Sequence, residues 1–166
     1  MGVEHIKSTT ITSLDSIPVE LAKRHFQGGT VRCVTETVTA TNGDAADSTY
    51  RMNRVHSSWL FVAMAINHGD TGGSSKIDIG FYETTRNGGA VVVKDCLSDN
   101  YNSSSASETG WSQETADGTT GTPQYLWEIA GLSSDPNKYW DLTITVATAI
   151  ADTVPIQINP YYTDGS

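Results

Sequence analysis

Apolar positions in this chain recur with a period of two inside short segments, and turn residues separate the segments. Such alternation marks half-buried strands, because successive side chains of an extended backbone point to opposite faces. Val31 to Thr39 is rich in Val and Thr and free of Gly and Pro, and a turn at Asn42-Gly43-Asp44 follows. Thr49 to Val55 alternates, with Tyr50 and Met52 on one side and Arg51 and Asn53 on the other. Trp59 to Ile66 is the most continuous apolar run, and its eight residues suit a buried central strand, with Trp59 in the core, better than a helix. Lys76 to Tyr82 puts Ile77, Ile79 and Phe81 on one face and Asp78 and Gly80 on the other. Ala90 to Val93 follows a hairpin-grade turn at Asn87-Gly88-Gly89. Tyr125 to Ile129 and Tyr139 to Thr148 read as strands around a Ser133 to Asn137 turn. Val154 to Tyr161 closes the set, with Pro155 and Pro160 marking an edge strand.

About eight strands with turn signals between them predict an all-β fold, a single β-sandwich or jelly roll over residues 31–166. Two segments break the rhythm. In residues 1–30 the apolar Ile6, Ile11, Leu14, Ile17 and Val19 are irregularly spaced among threonines and serines, which suits an extended N-terminal arm. A short helical turn at Val19 to His25 is compatible with its residues, and Gly28-Gly29 marks the boundary. Residues 99–121 form a long polar stretch with Trp111 in its middle, too polar for a core and expected as a surface loop.

Composition supports the β reading. The chain has 166 residues, enough for one ordinary domain. It holds 11 Ile and 12 Val against 7 Leu, together with 22 Thr, and β-branched residues favour pleated surfaces. A net charge of -9 argues against a nucleic-acid binder that works by neutralising phosphates. No apolar run approaches the ~20 residues of a membrane span, and the first residues lack the basic-then-apolar order of a signal peptide. Partners are therefore expected to include neither nucleic acid nor membrane.

Candidate chemistry is sparse. Gly69-Asp70-Thr71-Gly72-Gly73 differs at one position from the Gly-Asp-Ser-Gly-Gly nucleophile loop of chymotrypsin-like proteases, and Asp70-Thr71-Gly72 has the aspartic-protease triplet. A hydrolase would use Thr71 or Asp70, with His25 or His56 as the base, whereas a plain β-turn explains the same residues through their turn preferences. His5, His25, His56 and His68 have no metal-ligand spacing and read as solvated or locally bonded histidines. Cys33 and Cys96, 63 residues apart, read as buried thiols, with a disulfide as the other reading. No EF-hand, Walker or Gly-x-Gly-x-x-Gly sequence occurs, so neither catalysis nor a cofactor nor a metal is expected. Trp59, Tyr125, Trp127, Tyr139 and Trp140 are expected to pack as strand aromatics. Trp111 is a candidate surface anchor, as a sugar platform, a protein contact or a lid over the sandwich end.

Several segments, in order, resemble small virion proteins encoded beside major capsid proteins of tailed bacteriophages. They are Lys7 to Pro18, Glu36-Thr37-Val38-Thr39, Asp47-Ser48-Thr49-Tyr50 and Ile77-Asp78-Ile79-Gly80-Phe81-Tyr82, then Leu126-Trp127-Glu128, Gly131 to Pro136 and Tyr139-Trp140-Asp141-Leu142-Thr143. They cover most of the chain. Val55-His56-Ser57-Ser58 departs from the group's Val-Pro-Ser-Asn-like sequence. The group consists of capsid decoration or cement proteins with jelly-roll sandwiches. The resemblance implies a non-enzymatic protein made in the host cytoplasm and placed on the capsid exterior. Its implied partners are the major capsid protein and itself, as a dimer or trimer, with Ile6, Ile11, Leu14 and Ile17 as arm anchors. A carbohydrate- or receptor-binding sandwich module and a minor head-tail connector are the alternative roles.

Overall fold

A computed structural model of the protein describes residues 31–85, 89–105, 112–113 and 124–163. Among these residues ten strands follow in order: Val31–Cys33 (β1), Glu36–Ala40 (β2), Thr49–His56 (β3), Leu60–His68 (β4), Lys76–Glu83 (β5), Val91–Asn102 (β6), Ser112–Gln113 (β7), Gln124–Tyr125 (β8), Tyr139–Thr148 (β9) and Val154–Thr163 (β10). A single helical turn, Leu126–Ile129 (α1), follows β8.

The pairing explains the architecture. β2 pairs with β10, β3 with β9, β4 with β7 and β8, and β5 with β6, all antiparallel. The first half of the chain therefore folds back on the second as one long ribbon. β4 also joins β10, and β9 joins β5. The ribbon is thus rolled into two facing sheets, β1/β2–β10–β4–β7/β8 and β3–β9–β5–β6. This is the jelly-roll order of a double-sheet sandwich. The ten strands occupy eight positions, because β1 and β2 share one edge of β10 and β7 and β8 share one edge of β4.

Inward-facing residues of the two sheets meet in one core. β5 and β9 supply Ile77, Ile79, Phe81, Trp140, Leu142 and Ile144, and β4 and β10 supply Met64, Ile66, Ile156 and Ile158. Phe81 and Trp140 stack at 5.3 Å between ring centroids. Each such side chain contributes roughly 1.5–3 kcal/mol when fully buried.

Several expectations need correction. Val31 to Thr39 is not one strand, since the pairing breaks at Val34 and Thr35 between β1 and β2. β10 is an interior strand, not an edge. Its prolines are tolerated because each sits at the end of a ladder or at a break in one. Pro155 lies beyond His68, the last β4 residue paired with β10, and Pro160 lies opposite the Val34–Thr35 break. Tyr125 to Ile129 is not a strand: it turns helical after Tyr125, where the Glu128 carboxylate accepts a bond from the Tyr125 N–H at 2.9 Å. Trp59 precedes β4 and is half-buried, stacked flat on Tyr162 at 4.4 Å. The 99–121 stretch is not all loop, because β6 runs to Asn102 and Ser112–Gln113 pairs with Ile66 and Ala65.

β5 is buried on both faces rather than one. The cause lies in β6. Ile79 pairs with Ser98 and Phe81 with Val93, so β6 uses five residues where β5 uses two. The surplus folds over the outer face of β5. A Cβ on Gly80 would lie 2.5 Å from the Lys94 carbonyl carbon and 2.7 Å from its oxygen, so this close crossing requires glycine. Asp78, pointing outward, is covered as well; it accepts the Asn100 N–H at 2.8 Å and lies 3.4 Å from the Lys94 ammonium. That carboxylate raises the Lys94 pKa above its ordinary value, chiefly by hydrogen bonding.

Candidate functional site

The protease-like loop is a structural staple. Thr71 is fully buried. Its hydroxyl donates to the Ser103 carbonyl at 2.8 Å and lies 2.8 Å from the Ser103 hydroxyl. Its backbone N–H also donates to the Ser103 carbonyl, and its own carbonyl accepts from Ala151 and Asp152. Ser75, equally buried, donates toward Gly72 and Ala149 carbonyls at 2.7 and 2.8 Å. Asp70 accepts the Gly72 N–H at 2.8 Å, an Asx turn. Three chain segments are pinned together here, and the Thr71 hydroxyl points at backbone and Ser103, with no base beside it among the described residues. His68 is buried and donates from Nδ1 to the Gly69 carbonyl at 2.8 Å, while Nε2 meets the Tyr101 hydroxyl at 3.2 Å. His56 stands at the other end of the sandwich, where its Nδ1 meets the Ser58 hydroxyl at 2.7 Å.

The cysteines are unpaired, and the expectation of two buried thiols fails for Cys33. Cys33 is exposed because β1 caps the sheet edge with all three residues outside. Cys96 is half-buried against the core, and desolvation, helped by the Asp95 charge, pushes its thiol up to about 12.

The aromatics divide by face. Trp140 is in the core, whereas its neighbour Tyr139 is 54% exposed and meets the His56 ring edge-on at 4.7 Å. Tyr139 is therefore not the packed strand aromatic that was expected, because alternation turns it outward at the β9 terminus. Tyr125 and Trp127 stack with centroids 6.4 Å apart, although they sit on a strand end and a helical turn rather than one strand face. Buried Ser57, in the segment that departs from the virion-protein pattern, anchors the Ser133–Asn137 turn by bonding to the Asp135 carboxylate and to the Lys138 N–H.

A hollow of about 640 Å³ lies on the outer face of the β3–β9 pair. Arg51, Asn53, Arg54, Thr84, Thr85 and Asp141 line it. Strict alternation would send Arg51 and Asn53 outward and Arg54 inward. A bulge at Met52 changes this: Arg51 pairs with Thr143, Asn53 with Leu142 and Arg54 with Asp141. Both arginines therefore share the outer face. They bracket Asp141, whose side chain is only 7% exposed; Arg51 bonds it through a terminal nitrogen and Arg54 through Nε at 2.9 Å. Arg51 also donates to the Thr85 carbonyl at 2.5 Å. Two guanidiniums against one carboxylate leave one positive charge in the hollow. Alternation could not reveal this pair, because a bulge leaves no mark in the hydrophobic pattern. The visible signal was two arginines three residues apart in one strand.

The arm residues Ile6, Ile11, Leu14 and Ile17 and the candidate anchor Trp111 lie outside the described residues. No helix among the described residues is long and apolar enough to cross a membrane.

No protein-family model matches the chain, and no curated protein matches it in sequence. Its fold is shared with chains of two phage capsids. A chain of the cyanophage Pam1 capsid asymmetric unit superposes with a TM-score of 0.59 at 12% identity, covering 90% of this chain and 96% of the other. A chain of the capsid of Ralstonia phage GP4 superposes with a TM-score of 0.61 at 17% identity, covering 84% of this chain and 88% of the other. The fold of this chain is thus a jelly-roll sandwich of a kind found in phage capsids.

Proposed function

We propose that this chain is a structural protein of a bacteriophage virion, seated on the outside of the capsid shell and stabilising it as a decoration protein. The observation that carries the reading is the shared fold, which spans nearly the whole of a capsid chain as well as most of this one. Hydrogen bonding within the Gly69–Gly73 staple, which occupies Thr71, supports a non-enzymatic role. In this reading residues 1–30 form an extended arm, and residues 31–166 are the module that the arm fastens to the shell. Ile6, Ile11, Leu14 and Ile17 contact the major capsid protein or a sister subunit. Repetition on a symmetric lattice lets individually weak contacts add up. The acidic surface, at a net charge of -9, keeps the module off packaged DNA.

Quantifying the chain against the major capsid protein in purified virions tests the role. Decoration predicts hundreds of copies; a handful would mean a connector. Deleting residues 1–17 tests the arm: capsid binding is expected to vanish while the β-sheet circular dichroism persists, and retained binding would refute the strap.

A further inference from the structure

We propose that the hollow beside β3 is a docking site for an extended acidic segment of a partner polypeptide, with the guanidinium of Arg54 receiving its carboxylate. The inference goes beyond the virion reading and holds or fails independently of it.

Three observations carry it. First, Arg54 is already oriented. Its Nε donates to Asp141 Oδ1 at 2.9 Å, which holds the guanidinium plane, while the side chain remains 58% exposed. Its two terminal nitrogens bond nothing among the described residues, and they offer the planar fork of donors that matches a carboxylate. Second, Arg51 answers the charge of Asp141 from the other side, so the second guanidinium is an unbalanced positive charge. It is presented by a chain whose net charge is -9, so an acidic segment is attracted here and repelled across most of the remaining surface. Third, β3 pairs only with β9 among the described residues, so it forms the edge of its sheet and an extended segment can lie along it, although the Arg54 N–H itself already donates to Asn53 Oδ1 at 2.7 Å. The hollow, about 640 Å³, leaves room for a side chain and its flanking backbone. A doubly charged phosphate suits the site less well, because the Asp141 carboxylate lies directly behind the fork.

The test is a nuclear magnetic resonance titration of the full chain. The probes are an acetylated, amidated Thr-Val-Glu-Val-Thr peptide and its twin with Gln in place of Glu. The Glu peptide is expected to shift the Arg54 Nε–H and β3 amide signals saturably, with about tenfold or more weaker binding for the Gln twin. R54Q should abolish the response while leaving signals elsewhere unchanged. R54K, which keeps the charge and loses the fork, should bind several-fold more weakly. Equal binding of both peptides, an unchanged response in R54Q, or no saturable shift would each overturn the proposal. So would inorganic phosphate that shifts the same signals more tightly than the Glu peptide.

Discussion

At the scale of single residues, close approach and charge decide more than hydrophobicity does. Gly80 looks like a gap in an alternating strand, yet the Lys94 peptide fills the space where its side chain would be. Gly80→Ala should therefore destabilise the sandwich by about 1–3 kcal/mol in urea unfolding, since backbone and not a movable side chain must yield. An unchanged midpoint would show that β6 does not press on this face. Asp44 supports the turn after β2 by accepting the Thr41 N–H at 2.8 Å and the Tyr50 hydroxyl at 2.5 Å. These bonds, Tyr50's first, hold the Asp44 carboxyl below its ordinary pKa of 3.8. A carboxylate depressed on folding stabilises the fold above its ordinary pKa, and that stability is lost as pH falls through the folded value. Tyr50 moves the other way: desolvation first, and then the Asp44 bond, raise it above 10.0. Its contribution is complete below pH 10 and declines in more alkaline solution. Asp44→Asn should flatten the acid limb of the stability profile and let Tyr50 ionise earlier in an ultraviolet titration. A wild-type acid limb in the variant would remove this pair from the account.

At the scale of elements, most departures from expectation trace to a partner far away in sequence, and one to a local cap. Two prolines argue locally for an edge strand, and β10 is nonetheless interior, because its neighbours stop or break opposite each proline. Tyr125 to Ile129 has strand-like residues, and local side-chain capping by Glu128 bends it into a turn that seats Leu126 in the core. The Gly69–Gly73 segment was legible as a turn; that Ser103 lies over Thr71 was not, because 32 residues separate them. The staple joining β4, β6 and the segment before β10 yields a direct test. Thr71→Val keeps the shape but removes the bonds from the Thr71 hydroxyl to Ser103, whose carbonyl keeps the Thr71 N–H and whose hydroxyl keeps the Ser75 carbonyl, and should lower stability by about 1 kcal/mol. Thr71→Ser keeps the hydroxyl and should cost less. If both variants unfold at the same denaturant concentration, the hydroxyl network contributes nothing.

At the scale of the whole molecule, stability rests on one core between two sheets that differ in how they are covered. The sheet of β3, β9, β5 and β6 has its outer face partly roofed by its own last strand, and Asp78, Tyr82, Thr143 and Thr145 are buried on that face. Tyr82 and Thr145 satisfy each other there at 2.8 Å. Trp140 is the largest of the fully buried side chains and packs on Phe81 across neighbouring strands. Trp140→Ala should therefore cost about 3–5 kcal/mol and lower the melting temperature by more than any edge substitution. A loss below about 1 kcal/mol would mean that the core is not shared in this way.

The sequence by itself determined the class of structure. Period-two alternation and β-branched residues require strands, and glycine, asparagine and aspartate at the breaks require turns, because these preferences belong to each residue and its immediate neighbours. It also placed Ile77, Ile79 and Phe81 together on one face, since alternation reports one face of a strand. Only the tertiary structure decided that β10 is interior, where β6 doubles back over Gly80, and that Arg51 and Arg54 stand together over Asp141. Register and bulges are set by pairing between distant segments, and a one-residue shift turns a side chain to the opposite face while leaving the local sequence unaltered.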